Sequence, residues 1–330
     1  MSHDSCCRGT DDCNASAGVL HDGVEPFERA IECVRELKRR KKSIYVLSNS
    51  SRGRDGTIRK LAAMGYDAEA FAGAMTSGHV AEAFLTSTLE TVPEKACFLK
   101  LREILDAIAG EGRRARVAHA TWSMRGNVQL GEAFGEAYQV VSIERPEDVD
   151  ACDFVLAHGV EAFGRGDGEK ELSVSDETMR LMIERAAEKK KPLVVANPDV
   201  VTVSGDELVM MPGTLATYYR DSFKYAHHGE SGDEYVCLMG KPDGIVYDAL
   251  LGEIGRTTAV DSRRVLAVGD SLSHDIAGAN DADIDALFVC DTGIHAQEMR
   301  HARARSDDAV DALFDAHGAH PALVISRLEW

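Results

Sequence analysis

A chain of 330 residues with 44% hydrophobic content can bury a sizeable core, and its length predicts two domains. Its formal net charge of −18 would be repelled by nucleic acid and by anionic membrane, so neither is expected as a partner. An anionic small substrate would need local neutralisation by a metal ion or a placed lysine.

No apolar run is long enough to span a bilayer, and the first residues lack the hydrophobic segment of a signal peptide. The eight cysteines are scattered apart from Cys6, Cys7 and Cys13, which complete no metal motif. Free thiols in a reducing, cytoplasmic setting are expected. Assembly into a homo-oligomer is left open.

In chain order, "HDSCCRGTDDCNASA" comes first and contains no Val, Ile, Leu or Phe. "GVLHDG" follows as a turn that Asp22 is expected to stabilise. "FERAIECVRELKRRKK" has helical periodicity, "SIYVL" reads as a short buried strand, and "SNSSRGR" as a polar turn at its end. A second helix, "RDGTIRKLAAMG", closes at Gly65 and leads to "FAGAMTSGH". From 79 to 206 the strands are "RARVAH", "YQVVSI", "DFVLAH" and "PLVVANPD", with the helix "ETMRLMIERAAEKKK" and the surface loop "GRGDGEKELSVSD". The first rhythm then returns: helix "PDGIVYDALLGEIG", strand "RRVLAVGD", helix "SHDIAGANDADI", strand "DALFVCDTG".

Helices alternating with short buried strands predict an α/β fold with a Rossmann-like parallel sheet covered on both faces. The expected core comprises residues 1–78 and 207–330, with an α/β domain inserted over 79–206. No glycine fingerprint follows an early strand, and "GRGDGE" lacks the GxGxxG spacing, which argues against a nucleotide-dependent dehydrogenase.

Three stretches could carry chemistry. In "VLAVGDSLSHDIAGAN" an apolar strand ends at Asp270, and Asp275 follows as a helix begins. Two carboxylates so placed can face one Mg²⁺, directly or through water; the plainer alternative is a capping aspartate beside a solvated one. In "GKP", Gly240 and Lys241 precede a helix, where an ammonium could hold a phosphate oxygen and screen a carboxylate; most lysines are merely solvated. Ser48 and Asn49 end a buried strand, where hydroxyl, amide and backbone N–H groups could bind an anion or simply cap the next helix.

Taken in order, "GVLHDG", "VLSNS", "TSG", "ANPD", "GKP" and "VGDSLSHDIAGA" resemble the haloacid dehalogenase superfamily, and within it subfamily IIA, the NagD-like phosphatases with a large α/β cap. The likeness runs from about Gly18 to the C-terminus. It implies phosphoryl transfer from a small phosphorylated metabolite through an aspartyl-phosphate, with Mg²⁺ as cofactor. Ser48 matches the family residue that hydrogen-bonds the phosphoryl group, Lys241 its lysine, and Asp270 and Asp275 its metal-site acids. Asn49 and Gly240 belong to the same motifs as substrate contacts. Asn197 and Asp199, on the cap, are expected to influence substrate choice.

The likeness breaks at one point. The family nucleophile stands three residues before the glycine of "GVLHDG", and that position is Ala15. A methyl group can neither attack phosphorus nor bind a metal. Ala17 occupies the position of an acid/base aspartate that some relatives also lack. Asp11 and Asp12 lie roughly 10 Å upstream of Ala15 in extended chain and do not substitute for it. The polar stretch before Gly18 is also unlike a central buried strand, and a misjudged start or splice junction is the expected cause. The competing expectation is a non-catalytic protein that kept Ser48, Lys241 and Asp270 to bind a phospho-ligand or a partner.

Overall fold

The computed structural model describes residues 18–89, 91–166, 169–204, 207–257 and 261–330. Asp11, Asp12, Ala15, Ala17, Cys6, Cys7 and Cys13 lie outside the described residues. The five cysteines inside them are buried free thiols.

At the start of the described chain, Asp22 Oδ1 accepts the N–H groups of Val24 and Glu25 at 2.9 and 2.6 Å, closing the turn. Helix Glu28–Arg39 buries Ala30, Cys33 and Val34, the face that its helical spacing defines. It delivers the chain to β1 (Ile44–Ser48), and helix Arg54–Ala63 crosses over to β2 (Phe71–Thr76), which pairs parallel with β1. Thr76 Oγ1 then accepts His79 N–H at 3.2 Å and caps helix Ser77–Leu85.

The inserted region holds β3 (Ala115–Thr121), β4 (Tyr138–Val140), β5 (Phe154–Ala157), β6 (Ala162–Phe163), β7 (Leu172–Ser173) and β8 (Leu193–Val195). A separate antiparallel hairpin, β9 (Val201–Ser204) and β10 (Glu207–Met210), follows. The sheet takes one more strand from beyond residue 206: β11 (Val236–Leu238) pairs with β8, so the order is β11-β8-β5-β3-β6-β7, with β4 also on β3. Its last strand therefore runs almost directly into Gly240 and Lys241. Strands β5 and β8 bury every residue, as parallel strands covered on both faces must. Helix Asp176–Glu188 is capped by Ser175, carries Asp176 and Glu177 in its first turn, and buries Met179, Met182, Ile183, Ala186 and Ala187 along one face. Helix Gly213–Ala226, which periodicity did not reveal, packs beside it.

The remaining strands are β12 (Leu266–Gly269), β13 (Asp285–Val289) and β14 (Leu323–Ile325), all parallel. Helix Gly244–Thr257 precedes them, and helices Ala296–Arg303 and Asp307–Ala316 join the last two. The helix expected over 273–284 is shorter than its pattern implied. A wide π turn occupies Leu272–Ile276, and α geometry begins only at Ala277. The molecule is thus α/β, with a Rossmann-like parallel core and an inserted α/β region. Among the described residues, no helix is long and apolar enough to cross a membrane.

Candidate functional site

The carboxyl ends of β1 and β12 and the segment after β11 meet, and the residues singled out in the sequence meet with them. Ser48, the last residue of β1, is 1% exposed, and its Oγ accepts Ser50 N–H at 3.1 Å. A hydroxyl has one proton, so the Ser48 O–H is left to donate elsewhere. Asn49 works as a clasp. Its Oδ1 accepts Lys241 N–H at 2.8 Å, and its Nδ2 donates to the Lys241 carbonyl at 3.1 Å and to Asp199 Oδ1 at 2.9 Å. Three distant parts of the chain are joined by one amide.

Gly240 is there because the backbones approach closely. A Cβ at that position would collide with Ser77 Oγ and stand 2.5 Å from Asn49 Oδ1. Ser77 itself donates to the Ser48 carbonyl at 3.4 Å and to Asn49 Oδ1 at 3.3 Å. The expected substrate contacts Asn49 and Gly240 therefore shape the loop as well as line it.

Lys241 is 4% exposed, and its ammonium lies 2.6 Å from Asp275 Oδ1. Asp275 Oδ2 accepts the N–H groups of Asp270 and Ser271 at 3.2 and 3.1 Å. Both Asp275 oxygens are thus engaged in aiming the lysine and closing the loop after β12. Asp270 stands differently. It is 8% exposed, and Ile294 N–H reaches its Oδ2 at 3.1 Å. Burial, and next the Asp275 charge, push its carboxyl up from 3.8 to about 8, with Lys241 only partly opposing.

Of the two acids, Asp270 is the one without an ion-pair partner of its own, a position that a hard divalent cation would fit. An oxygen donor in a tight cradle suits Mg²⁺. The cradle is formed by Gly18 and Gly293, both at positive φ (+87° and +78°), where any Cβ would enter the Asp270 carboxylate. Thr292 Oγ1 donates to the Gly18 carbonyl, so the turn "GVLHDG" is held over Asp270.

On the opposite wall the inserted region contributes Asn197, 2% exposed, whose Oδ1 accepts Asp199 N–H at 3.0 Å. A pocket between the two parts is lined by Ser50, Ser51 and Arg52 on one side and by Trp122, Arg125, Asn197 and Met211 on the other. Trp122 Nε1 donates to Ser51 Oγ at 3.4 Å, and the Arg125 guanidinium lies 4.9 Å from the Trp122 ring centre. The Arg52 guanidinium donates to the Arg125 carbonyl. Sequence reading did not single out Ser77, Arg52, Trp122, Arg125 or Met211. Trp122, one of two tryptophans, was the one available signal.

A family model described as haloacid dehalogenase-like hydrolase matches residues 15–111, and a second, HAD-hydrolase-like, matches residues 238–316. No curated protein matches the sequence. Among solved structures, a haloacid dehalogenase-like hydrolase from Brucella suis is similar at 24% identity over 84% of each chain, with a TM-score of 0.57. A p-nitrophenyl phosphatase from Archaeoglobus fulgidus is 19% identical over 95% of this chain and 94% of that one, with a TM-score of 0.55. A glycerol phosphate phosphatase from Mycobacterium tuberculosis, in complex with magnesium, is 18% identical over 94% of this chain and 72% of its own, with a TM-score of 0.54. At such identities the likeness speaks to the fold.

Proposed function

Because this chain belongs to the haloacid dehalogenase-like hydrolases, and its inserted α/β region resembles the cap of subfamily IIA, we propose that its site takes the phosphoryl group of a small phosphorylated metabolite, with Mg²⁺ as cofactor. The observation that carries this reading is the unbroken series of contacts from Asn49 through Lys241 and Asp275 to Asp270. It gathers a hydroxyl, an ammonium and a buried acid at the carboxyl ends of parallel strands, where α/β sheets bind ligands.

Each residue has a role in this reading that its placement supports. Ser48 donates its spare O–H to a phosphoryl oxygen. The Lys241 ammonium, held by Asp275, offsets the dianion's charge. Asp270 would hold Mg²⁺, and Asp275 would support it while orienting the lysine. When bound, Mg²⁺ supplies the positive charge that polarises the phosphoryl oxygens. Asn197 and Asp199, together with Trp122 and Arg125, face the group that carries the phosphate and select it.

The family reaction is hydrolysis through an aspartyl-phosphate, and Ala15 stands at the attacking position. The chain with Ala15 accordingly binds and orients a phosphate ester without turning it over. The residue favours this non-catalytic reading for the chain as it stands, and the phosphatase reading for the site around it. A cytoplasmic location, with neither nucleic acid nor membrane as partner, goes with both.

The test is p-nitrophenyl phosphate with Mg²⁺, measured on three chains. The unaltered chain should give no product, Ala15→Asp should gain turnover, and Ala15→Asp with Asp270→Ala should lose it again. Magnesium-dependent hydrolysis by the unaltered chain, abolished by Asp270→Ala, would remove the non-catalytic reading. Failure of the unaltered chain to bind inorganic phosphate in calorimetry would remove the site.

A further inference from the structure

Three ligating side chains that the phosphate site does not use converge behind Asp270. His295 Nδ1 lies 3.0 Å from Glu298 Oε2, and His317 Nε2 lies 3.5 Å from the same oxygen. One ligand atom from each of the three residues falls within 4.8 Å of the others. Around a tetrahedral Zn²⁺ with bonds of about 2.0–2.1 Å, neighbouring ligand atoms stand roughly 3.3–3.5 Å apart. The cluster is within a few tenths of an ångström of that spacing along two of its sides.

The imidazoles are also pre-aimed. Ser273 Oγ is 2.7 Å from His317 Nδ1, and this contact turns Nε2 toward Glu298. A ligating histidine is typically held by its second ring nitrogen in this way. His295 is 7% exposed and stands immediately before helix Ala296–Arg303, which places Glu298 one turn further along the same face. Glu298 is 55% exposed, leaving the outer side open to water as a fourth ligand. Two nitrogens and one carboxylate oxygen with an open position suit zinc, whereas Mg²⁺ prefers oxygen donors throughout.

We propose that His295, Glu298 and His317 form a second metal site, for Zn²⁺, separate from the Asp270 site. Its ligands come from the start of one helix and the end of the next, and Ser273 sits in the π turn between Asp270 and Asp275. Ile294, which donates to Asp270, immediately precedes His295. A zinc ion here pins the two loops that flank Asp270 and fixes the cradle from behind.

The experiment is calorimetric titration of metal-stripped protein with ZnCl₂, in a background where Cys6, Cys7 and Cys13 are serine so that N-terminal thiols do not compete. One equivalent is expected to bind, undisturbed by a hundredfold excess of Mg²⁺. His317→Ala and the milder Glu298→Gln should each weaken binding at least tenfold while circular dichroism stays unchanged. Zinc should raise Tm in the parent and not in these variants. No saturable binding by the parent, or binding that folded His317→Ala retains, would overturn the proposal and leave a histidine–glutamate hydrogen-bond cluster only.

Discussion

In the inserted sheet, β5 and β8 bury every side chain, whereas β12 in the core leaves Leu266 and Val268 47% and 38% exposed. Among the described residues the inserted sheet has seven strands, and β5 has neighbours on both sides. The core strands fall into a pair, β1-β2, and a triplet, β12-β13-β14, so β1 and β12 each have one neighbour among those residues. The polar residues divide the other way. Ser48, Asn49, Ser50, Ser51, Ser77, Lys241, Asp270 and Ser271 are all buried at the core's strand ends or just beyond β11, while the inserted sheet hides chiefly the His119–His158 pair. Both regions hold apolar cores, whereas buried hydrogen bonds and charge are concentrated in one of them.

Substitutions of similar size should therefore have unequal costs. Phe154→Ala, fully buried against Tyr138 at 5.6 Å between ring centres, should cost about 4 kcal/mol in urea denaturation. An effect no larger than that of a core-strand substitution would break the comparison. Lys241→Met comes next. It leaves Asp275 buried without its cation, at about 3 kcal/mol, and should also abolish phosphate binding. Adding Asp275→Asn, which removes the charge and keeps an acceptor for the Asp270 and Ser271 N–H groups, should recover part of the stability and not binding, which separates the two roles.

The histidine pair gives the inserted region a pH dependence of its own. His119 Nε2 and His158 Nδ1 are 3.0 Å apart, and burial pulls His119 from 6.5 down to about 4 and His158 down as well. On acidification the unfolded chain takes up these protons first. The stabilisation is complete above pH 6.5 and is lost as pH falls toward 4, on the order of 3 kcal/mol from His119 alone. His21, in the core, is lowered to about 4 by burial and has the same sign, so the check is a pH series of Tm in which His119→Asn flattens part of the slope. The smallest effect belongs to Val268→Thr, expected below about 1 kcal/mol because the side chain is already partly in water.

Much of this was legible one residue type at a time. The runs "SIYVL", "LAVG" and "DALFV" form strands, mainly apolar with Asp285 at an exposed end, and Ser48 and Asp270 stand at strand ends as their sequence positions implied. Three-residue strands were harder. Val236–Leu238 is too short to carry a period, and only its pairing with Leu193–Val195 assigns it to the inserted sheet. The chain order of Asp270 and Asp275 gave no sign that the Asp275 carboxylate also holds Lys241, 34 residues away in the chain, and two backbone N–H groups. Arg125 carries no local sign of lining a pocket and Trp122 only its rarity, since Ser51 and Arg52 approach them only across the two regions.

The sequence by itself determined the α/β class, the insertion, the identity of the ordered motifs and the alanine at position 15, because composition, periodicity and motif order are properties of the chain alone. Only the tertiary structure decided which acid lacks an ion-pair partner of its own, what Asn49 clasps, and that His295, Glu298 and His317 meet. Burial and electrostatic coupling depend on which residues become neighbours, and neighbours far apart in the chain are chosen by packing.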